Sequence, residues 1–259
     1  MTNLVFFGHH KCASTWMGRI FYDLQAITGW SIQYGFNPSR KLNILGNAKL
    51  EHVRGYENFR GLHLIRDPRD IVISGYYSHL KTHPTRKWPE LEKFRKKLLE
   101  VDMEKGLLME MDFLANHFHD MQNWDYNNPN ILELRFEQTT VQADWLKIFD
   151  FLGIVDHSNS NISFQAIMTY NKLNNRKLVP FRFNEVKVPE KLLLGIPEDH
   201  SFKKLSGGRK KGETNINSHY RKGLSGEWKT VFTEYHKDYF KQRFPGLLEK
   251  LQYESTEEW

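Results

Sequence analysis

Near its start the chain passes from the apolar run Asn3–Gly8 (NLVFFG) through the polar turn His9–Ala13 into Ser14–Thr28, where Trp16, Ile20, Leu24 and Ile27 recur at helical spacing. An apolar run without polar alternation suits a strand buried on both faces, the kind that parallel sheets contain. Gly29 is the predicted helix stop. The pattern returns at Leu62–Ile65, which is followed at once by Arg66-Asp67-Pro68. Asp67 is the predicted N-cap, and Pro68 opens a helix carrying Ile71, Val72, Gly75 and Tyr76. Strands that feed directly into helices argue for an α/β fold with a central parallel sheet flanked by helices.

Helical patterns follow over Glu90–Leu99 and Leu107–Asp125, a strand at Ile131–Phe136 and helices at Gln142–Leu152 and Ser163–Asn171. A loop-rich region is predicted up to Gly223, with terminal helices over Glu227–Arg243 and Pro245–Leu251. No linker divides the chain, so one domain over 1–259 is expected.

With 39% hydrophobic and 14% aromatic residues the chain can bury a core, which excludes disorder as its default. Cys12 is the single cysteine, ruling out an internal disulfide framework and a cysteine-rich zinc module. No apolar run approaches the roughly 20 residues that span a bilayer. Nor does the N-terminus read as a secretory signal. A cytoplasmic protein without membrane partners is the expectation. The formal net charge is +6, and the segment 203–223 has seven basic residues against Glu213 alone, so that segment carries the whole excess. Such a run is either a solvated loop or a mobile segment that covers a polyanionic ligand.

The turn Gly8-His9-His10-Lys11-Cys12-Ala13-Ser14-Thr15 ends at a helix N-terminus. Free N–H groups and the helix dipole there, with one lysine and two hydroxyls, make an anion cradle. The alternative is a plain turn in which Ser14 only caps the helix. His10 stands where the nucleoside-triphosphate loop GxxxxGK[ST] requires a glycine, so no magnesium architecture is implied. In the second strand-to-helix junction, Arg66 can take an anion bidentately and Ser74, two turns on, can donate to it. The bland alternative pairs Arg66 with Asp67 or Asp70. Two anion sites at the carboxyl edge of one parallel sheet suit a ligand with phosphate groups at both ends.

HHKCASTW resembles the 5′-phosphosulfate loop of the sulfotransferases that use 3′-phosphoadenosine 5′-phosphosulfate (PAPS), whose usual form is Y-P-K-[ST]-G-[ST]-T-W. RDPRDIVIS resembles their 3′-phosphate motif, and RKGLSGEWK at Arg221–Lys229 their late R-K-G-x-x-G-[DE]-W-K motif. The likeness implies a single P-loop-like α/β domain. It also implies transfer of a sulfuryl group to a hydroxyl or amine of a small-molecule acceptor, with 3′,5′-ADP as product and neither metal nor nucleic acid required. Carried over, Lys11, Ser14 and Thr15, with the Cys12 and Ala13 backbone, would hold the 5′-phosphate. Trp16 and Phe164 would stack on adenine, near Phe136, and Arg66, Ser74, Arg221, Lys222 and Gly223 would bind the 3′-phosphate. Lys11 would neutralise the leaving phosphate, whose charge develops only in the transition state.

The family commonly has a histidine in a K-[ST]-H segment ahead of the 3′-phosphate motif. Lys49-Leu50-Glu51-His52 resembles a degraded form of it, which makes His52 the first choice of general base, with Glu51 and His10 behind it. His79 and His83 are expected at the acceptor pocket, for which Trp30, Tyr34, Phe36, Tyr77 and Trp88 are candidate walls. Two departures stand out: Phe136 where many relatives have tyrosine, and Ala13 where they have glycine. Competing readings are a P-loop kinase of small molecules, which the missing GK[ST] triplet opposes, and a non-catalytic nucleotide- or nucleic-acid-binding module, which the thin aromatic content of 203–223 opposes.

Overall fold

A computed structural model describes residues 1–158, 161–183 and 185–259. They form two compact units, each assembled from separate stretches. Met1–His9, Ala13–Leu64 and Asp125–Ser201 make the first; His10–Cys12, Ile65–Trp124 and Phe202–Trp259 make the second.

The first unit holds the sheet. Its elements are β1 (Asn3–Gly8), α1 (Ser14–Thr28), β2 (Ile32–Tyr34), β3 (Leu42–Leu45), α2 (Leu50–Arg54), β4 (Phe59–Ile65) and β5 (Ile131–Arg135). The five strands form a parallel sheet in the order β2-β3-β1-β4-β5. The central strand β1 is buried along its whole length, with Phe6 opposite Ile44 of β3 and Leu62 of β4. Because β3 and β4 lie on opposite sides of β1, the carboxyl end of β1 is the switch point at which α/β sheets open a crevice. The turn after Gly8 leaves from there. Leu4, Phe6, Met17, Ile20 and Leu24 share one core with Leu42, Ile44, Leu62, Phe149 and Leu193.

The sequence misses β2 and β3, which are too short to show a period. It also leaves as loop a helix over Glu190–Asp199, which contains Gly195 and Pro197. Burial of Leu193 and Ile196 in the core, each contributing about 1.5–3 kcal/mol, outweighs those breakers. The helix predicted over Gln142–Leu152 forms over Trp145–Phe151, capped by Asp144, and a further helix, Phe136–Gln142, is not predicted by the sequence.

The second unit is helical. It contains α3 (Pro68–Tyr77), continued by a π turn over Ser78–Thr82, then α4 (Pro89–Leu98), α5 (Met103–Phe113) and α6 (Ala115–Gln122). The single helix expected over Leu107–Asp125 is thus divided at Leu114. Likewise the predicted helix Glu227–Arg243 divides into Trp228–Val231 and Glu234–Arg243, because Thr233 caps the second with a hydrogen bond from His236 N–H. Among the described residues, no helix is long and apolar enough to cross a membrane.

Candidate functional site

The turn after β1 takes an unusual path for its residues. Lys11 has φ +62° and Ala13 φ +58°, both left-handed, which costs an L-residue roughly 1–2 kcal/mol. Ala13 thereby adopts a left-handed backbone that glycine takes without strain. It is also the N-cap of α1 and provides no side-chain hydrogen bond. Ser14 is the first helical residue, not the cap, and its Oγ donates to the His9 carbonyl at 3.2 Å. The plain capped turn is therefore not what forms. The N-terminus of α1 is left without a capping side chain and keeps its affinity for an anion. Thr15 is exposed and Trp16 half-buried, with Trp16 Nε1 donating to the His200 carbonyl and its ring edge-on to Trp145. Phe164, expected beside adenine, is 3% exposed and belongs to the core. Phe136 packs against the same core, partly buried.

In the second unit Lys11 and Arg66 come together. Arg66 Nη1 lies 3.5 Å from the Lys11 carbonyl, and Cys12 is fully buried beside them in sequence. Burial, with the Arg66 guanidinium behind it, lowers the Lys11 ammonium to about 8. Two cations held this close favour an anion between them.

Asp67 engages Arg69. It caps α3 by accepting from Arg69 N–H and takes the Arg69 side chain, at 2.8 Å from Nη2. Arg69 is almost fully buried, with its guanidinium 3.6 Å from the Trp228 ring centre and 4.6 Å from that of Trp259. Asp70 is engaged too: its carboxylate accepts Gly226 N–H at 2.5 Å and Trp228 N–H at 3.2 Å. The RDPRD helix thus grips the backbone of the late RKGLSGEWK segment, a tether the sequence did not reveal. Arg221 stacks on Tyr77 at 4.4 Å, and both Arg221 and Lys222 pair with Glu227. Burial alone would raise the Glu227 carboxyl, but these two cations hold it below the ordinary glutamate value. Gly223 sits at φ +68°, with the Phe202 ring where a Cβ would stand, so no other residue fits. Ser74 lies half-buried on α3.

The basic segment, expected to be mobile, is knit together by Arg209. Its guanidinium donates to the carbonyls of Ser206, Glu213, Tyr220 and Arg221.

The candidate bases fare differently. His52 Nδ1 accepts Lys49 N–H at 3.0 Å, completing a capping box at the start of α2. In neutral His52 that bond occupies the only ring lone pair, so proton abstraction requires giving up the cap. Glu51 is exposed. His10 Nε2 faces His79 Nε2 at 2.8 Å. His79 and His83 gather around His10 and Trp88. Of the proposed aromatic walls, Trp30 is core, Tyr34 and Phe36 are exposed, Tyr77 lies under Arg221 and Trp88 under the histidines.

A family model described as a sulfotransferase domain matches residues 56–252, which include Arg66, Ser74 and Arg221–Gly223 but not the first turn. No curated protein matches this chain. Among solved structures, mouse sulfotransferase SULT7A1 complexed with PAP is similar over 98% of this chain and 85% of its own, at 15% identity and a TM-score of 0.54. Retinol dehydratase in complex with retinol and PAP is similar over 95% and 81%, at 16% identity and a TM-score of 0.53. At such identity these likenesses establish the α/β fold, and the matched model covers well over half of the sequence. The chain belongs to the sulfotransferase domain family.

Proposed function

We propose that the chain moves a sulfuryl group from PAPS to a hydroxyl or amine of a small-molecule acceptor by in-line transfer. The observation that carries this reading is the way Asp70 ties Gly226 and Trp228 to α3, the helix that bears Ser74 and follows Arg66. A phosphate on the 3′ carbon is the group such a set would take: Arg66, Ser74, Arg221 and Lys222 offer charge and donors, and Gly223 a close backbone approach. The pairing of Arg221 and Lys222 with Glu227 keeps both cations oriented until an anion competes for them.

At the other end of the nucleotide, the uncapped N-terminus of α1 with Ser14 and Thr15 suits the 5′-phosphate, and Trp16 the adenine face. Lys11 is assigned to the bridging oxygen, where negative charge grows as the S–O bond breaks. Little covalent work falls to the protein, as in phosphoryl transfer. The acceptor's proton is assigned to the Glu51–His52 pair at the head of α2. His52 must exchange its cap for the acceptor O–H, a loss of about 1 kcal/mol.

Titration of the full chain with 3′,5′-ADP and with ATP tests the reading. The bisphosphate should bind tightly and lose about 10- to 100-fold in Arg66→Ala, as expected when a charge-assisted contact goes. Equal affinity for ATP, indifferent to Arg66, would sink the assignment.

A further inference from the structure

In the second unit, next to Lys11, three imidazoles converge on one point. We propose that His10, His79 and His83 bind a divalent first-row transition ion of the zinc class through their Nε2 atoms, with Glu110 supporting His79 from behind. This departs from the metal-free enzyme that the sequence suggested, and it does not rest on the sulfotransferase reading.

The geometry begins with the π turn at the end of α3. His83 N–H donates to the Ser78 carbonyl at 2.7 Å, five residues back, and so brings His79 and His83 to the same side of the turn. Such single π turns are frequent at functional positions. His10 enters from the first turn, and one ring nitrogen from each of the three lies within 4.8 Å of the others.

Each ring's outer nitrogen decides which inner nitrogen is available. His83 Nδ1 is 3.2 Å from the Pro84 carbonyl, which can only accept, so the proton sits on Nδ1 and Nε2 keeps its lone pair. His79 Nδ1 lies 2.8 Å from Glu110 Oε1, an ion-pair approach without hydrogen-bond geometry. Carboxylate-backed and carbonyl-backed imidazoles are the usual outer shell of metal-binding histidines. His79 and Glu110 are both completely buried, and neither Glu110 oxygen has a hydrogen-bond partner among the described residues. A carboxylate this poorly compensated gains from positive charge beyond the imidazole it touches.

The backbone and walls of the cluster are also fixed. Arg95 donates to the His79 carbonyl through Nε and to the His83 carbonyl through Nη2, holding both ends of the π turn. Trp88 stands edge-on to all three rings, and His117 stacks on His10 at 5.1 Å. The Lys11 ammonium, next to His10 in sequence, opposes a second cation, and Glu110 offsets it.

Zinc–nitrogen bonds of about 2.0–2.1 Å in a tetrahedral site separate ligand nitrogens by roughly 3.3 Å. The His10–His79 pair, at 2.8 Å, must open by about half an ångström while the ion replaces its hydrogen bond. Three protein ligands leave a fourth position for water or an added ligand.

Titrating the full chain with Co²⁺ and following its visible d–d absorption tests the site, together with zinc retained after gel filtration. About one ion per chain is expected. His83→Ala, on a half-exposed ligand, should abolish the band, Glu110→Gln should weaken uptake about 10- to 100-fold, and His157→Ala should leave it unchanged. A wild-type chain without the band, or a His83→Ala chain that keeps it, overturns the proposal. Binding of 3′,5′-ADP in the presence of a chelator should persist, so a failure here is distinct from a failure of the transferase reading.

Discussion

Two neighbouring residues, His9 and His10, each begin a chain of the form histidine–histidine–glutamate. In the first unit His9 Nε2 meets His63 Nε2 at 2.8 Å, and His63 Nδ1 meets Glu133. In the second, His10 Nε2 meets His79 Nε2 at 2.8 Å, and His79 Nδ1 meets Glu110. Burial lowers both His63 and His79 to about 3, so in each chain the middle ring is uncharged. The contacts are nearly the same, yet among the described residues a three-ligand set forms only around His10.

The elements that carry the middle rings explain the difference. His63 lies on β4, paired with Phe7 of β1, and its same-face neighbours at a period of two are Gly61 and Ile65. A strand in a close-packed sheet gives His63 no second imidazole. His79 lies on a π turn, where a residue four further on returns to the same side, and that residue is His83. The rings also meet differently: His9 and His63 at 76°, His10 and His79 stacked at 18°. One chain is a packing device of the sheet, and the other opens toward half-exposed rings.

The strongest way to break this contrast is His63→Ala. Removing the ring that separates His9 from Glu133 should cost about 3 kcal/mol in urea unfolding, moderated by the partial exposure of Glu133, with Co²⁺ uptake unchanged. Loss of uptake in that variant would mean that the two chains are not independent. Gly75→Ala should cost less, about 1–3 kcal/mol in the same assay, because a Cβ there would collide with Glu110 Oε1. It should also weaken cobalt binding by displacing the residue behind His79. The smallest effect is expected in the turn shared by both chains. Ala13→Gly relieves the strain of φ +58° but adds backbone entropy to the unfolded chain, and the balance is a gain of about 0.5 kcal/mol. A fall in melting temperature would show that Ala13 is not strained.

Much of the fold was legible where the local pattern and the tertiary environment agree. β1 and α1 have the limits that the apolar run and the helical spacing predict, and Asp67 and Pro68 start α3 as their chemistry demands. The residues proposed to bind anions could be picked out because phosphate recognition uses lysine, arginine, serine and glycine at short, regular intervals. β3 was not legible: four residues, LNIL, show no period, and they form a strand because β1 and β2 offer ladders on both sides. The tether from Asp70 to Gly226 and Trp228 spans more than 150 residues, a distance that local pattern cannot read. Nor could spacing alone tell His52, spent on a helix cap, from a histidine with a lone pair to offer.

By itself the sequence determined the class of fold, because hydrophobic periodicity and helix-terminus chemistry are local properties. Tertiary structure alone decided which histidines touch which carboxylates. Fifteen residues lie between His63 and His79, and nothing in that spacing says that one ring will lie in a sheet and the other beside His83. Burial made the difference, by removing water as an alternative partner and leaving each ring nitrogen only the neighbours that packing supplied.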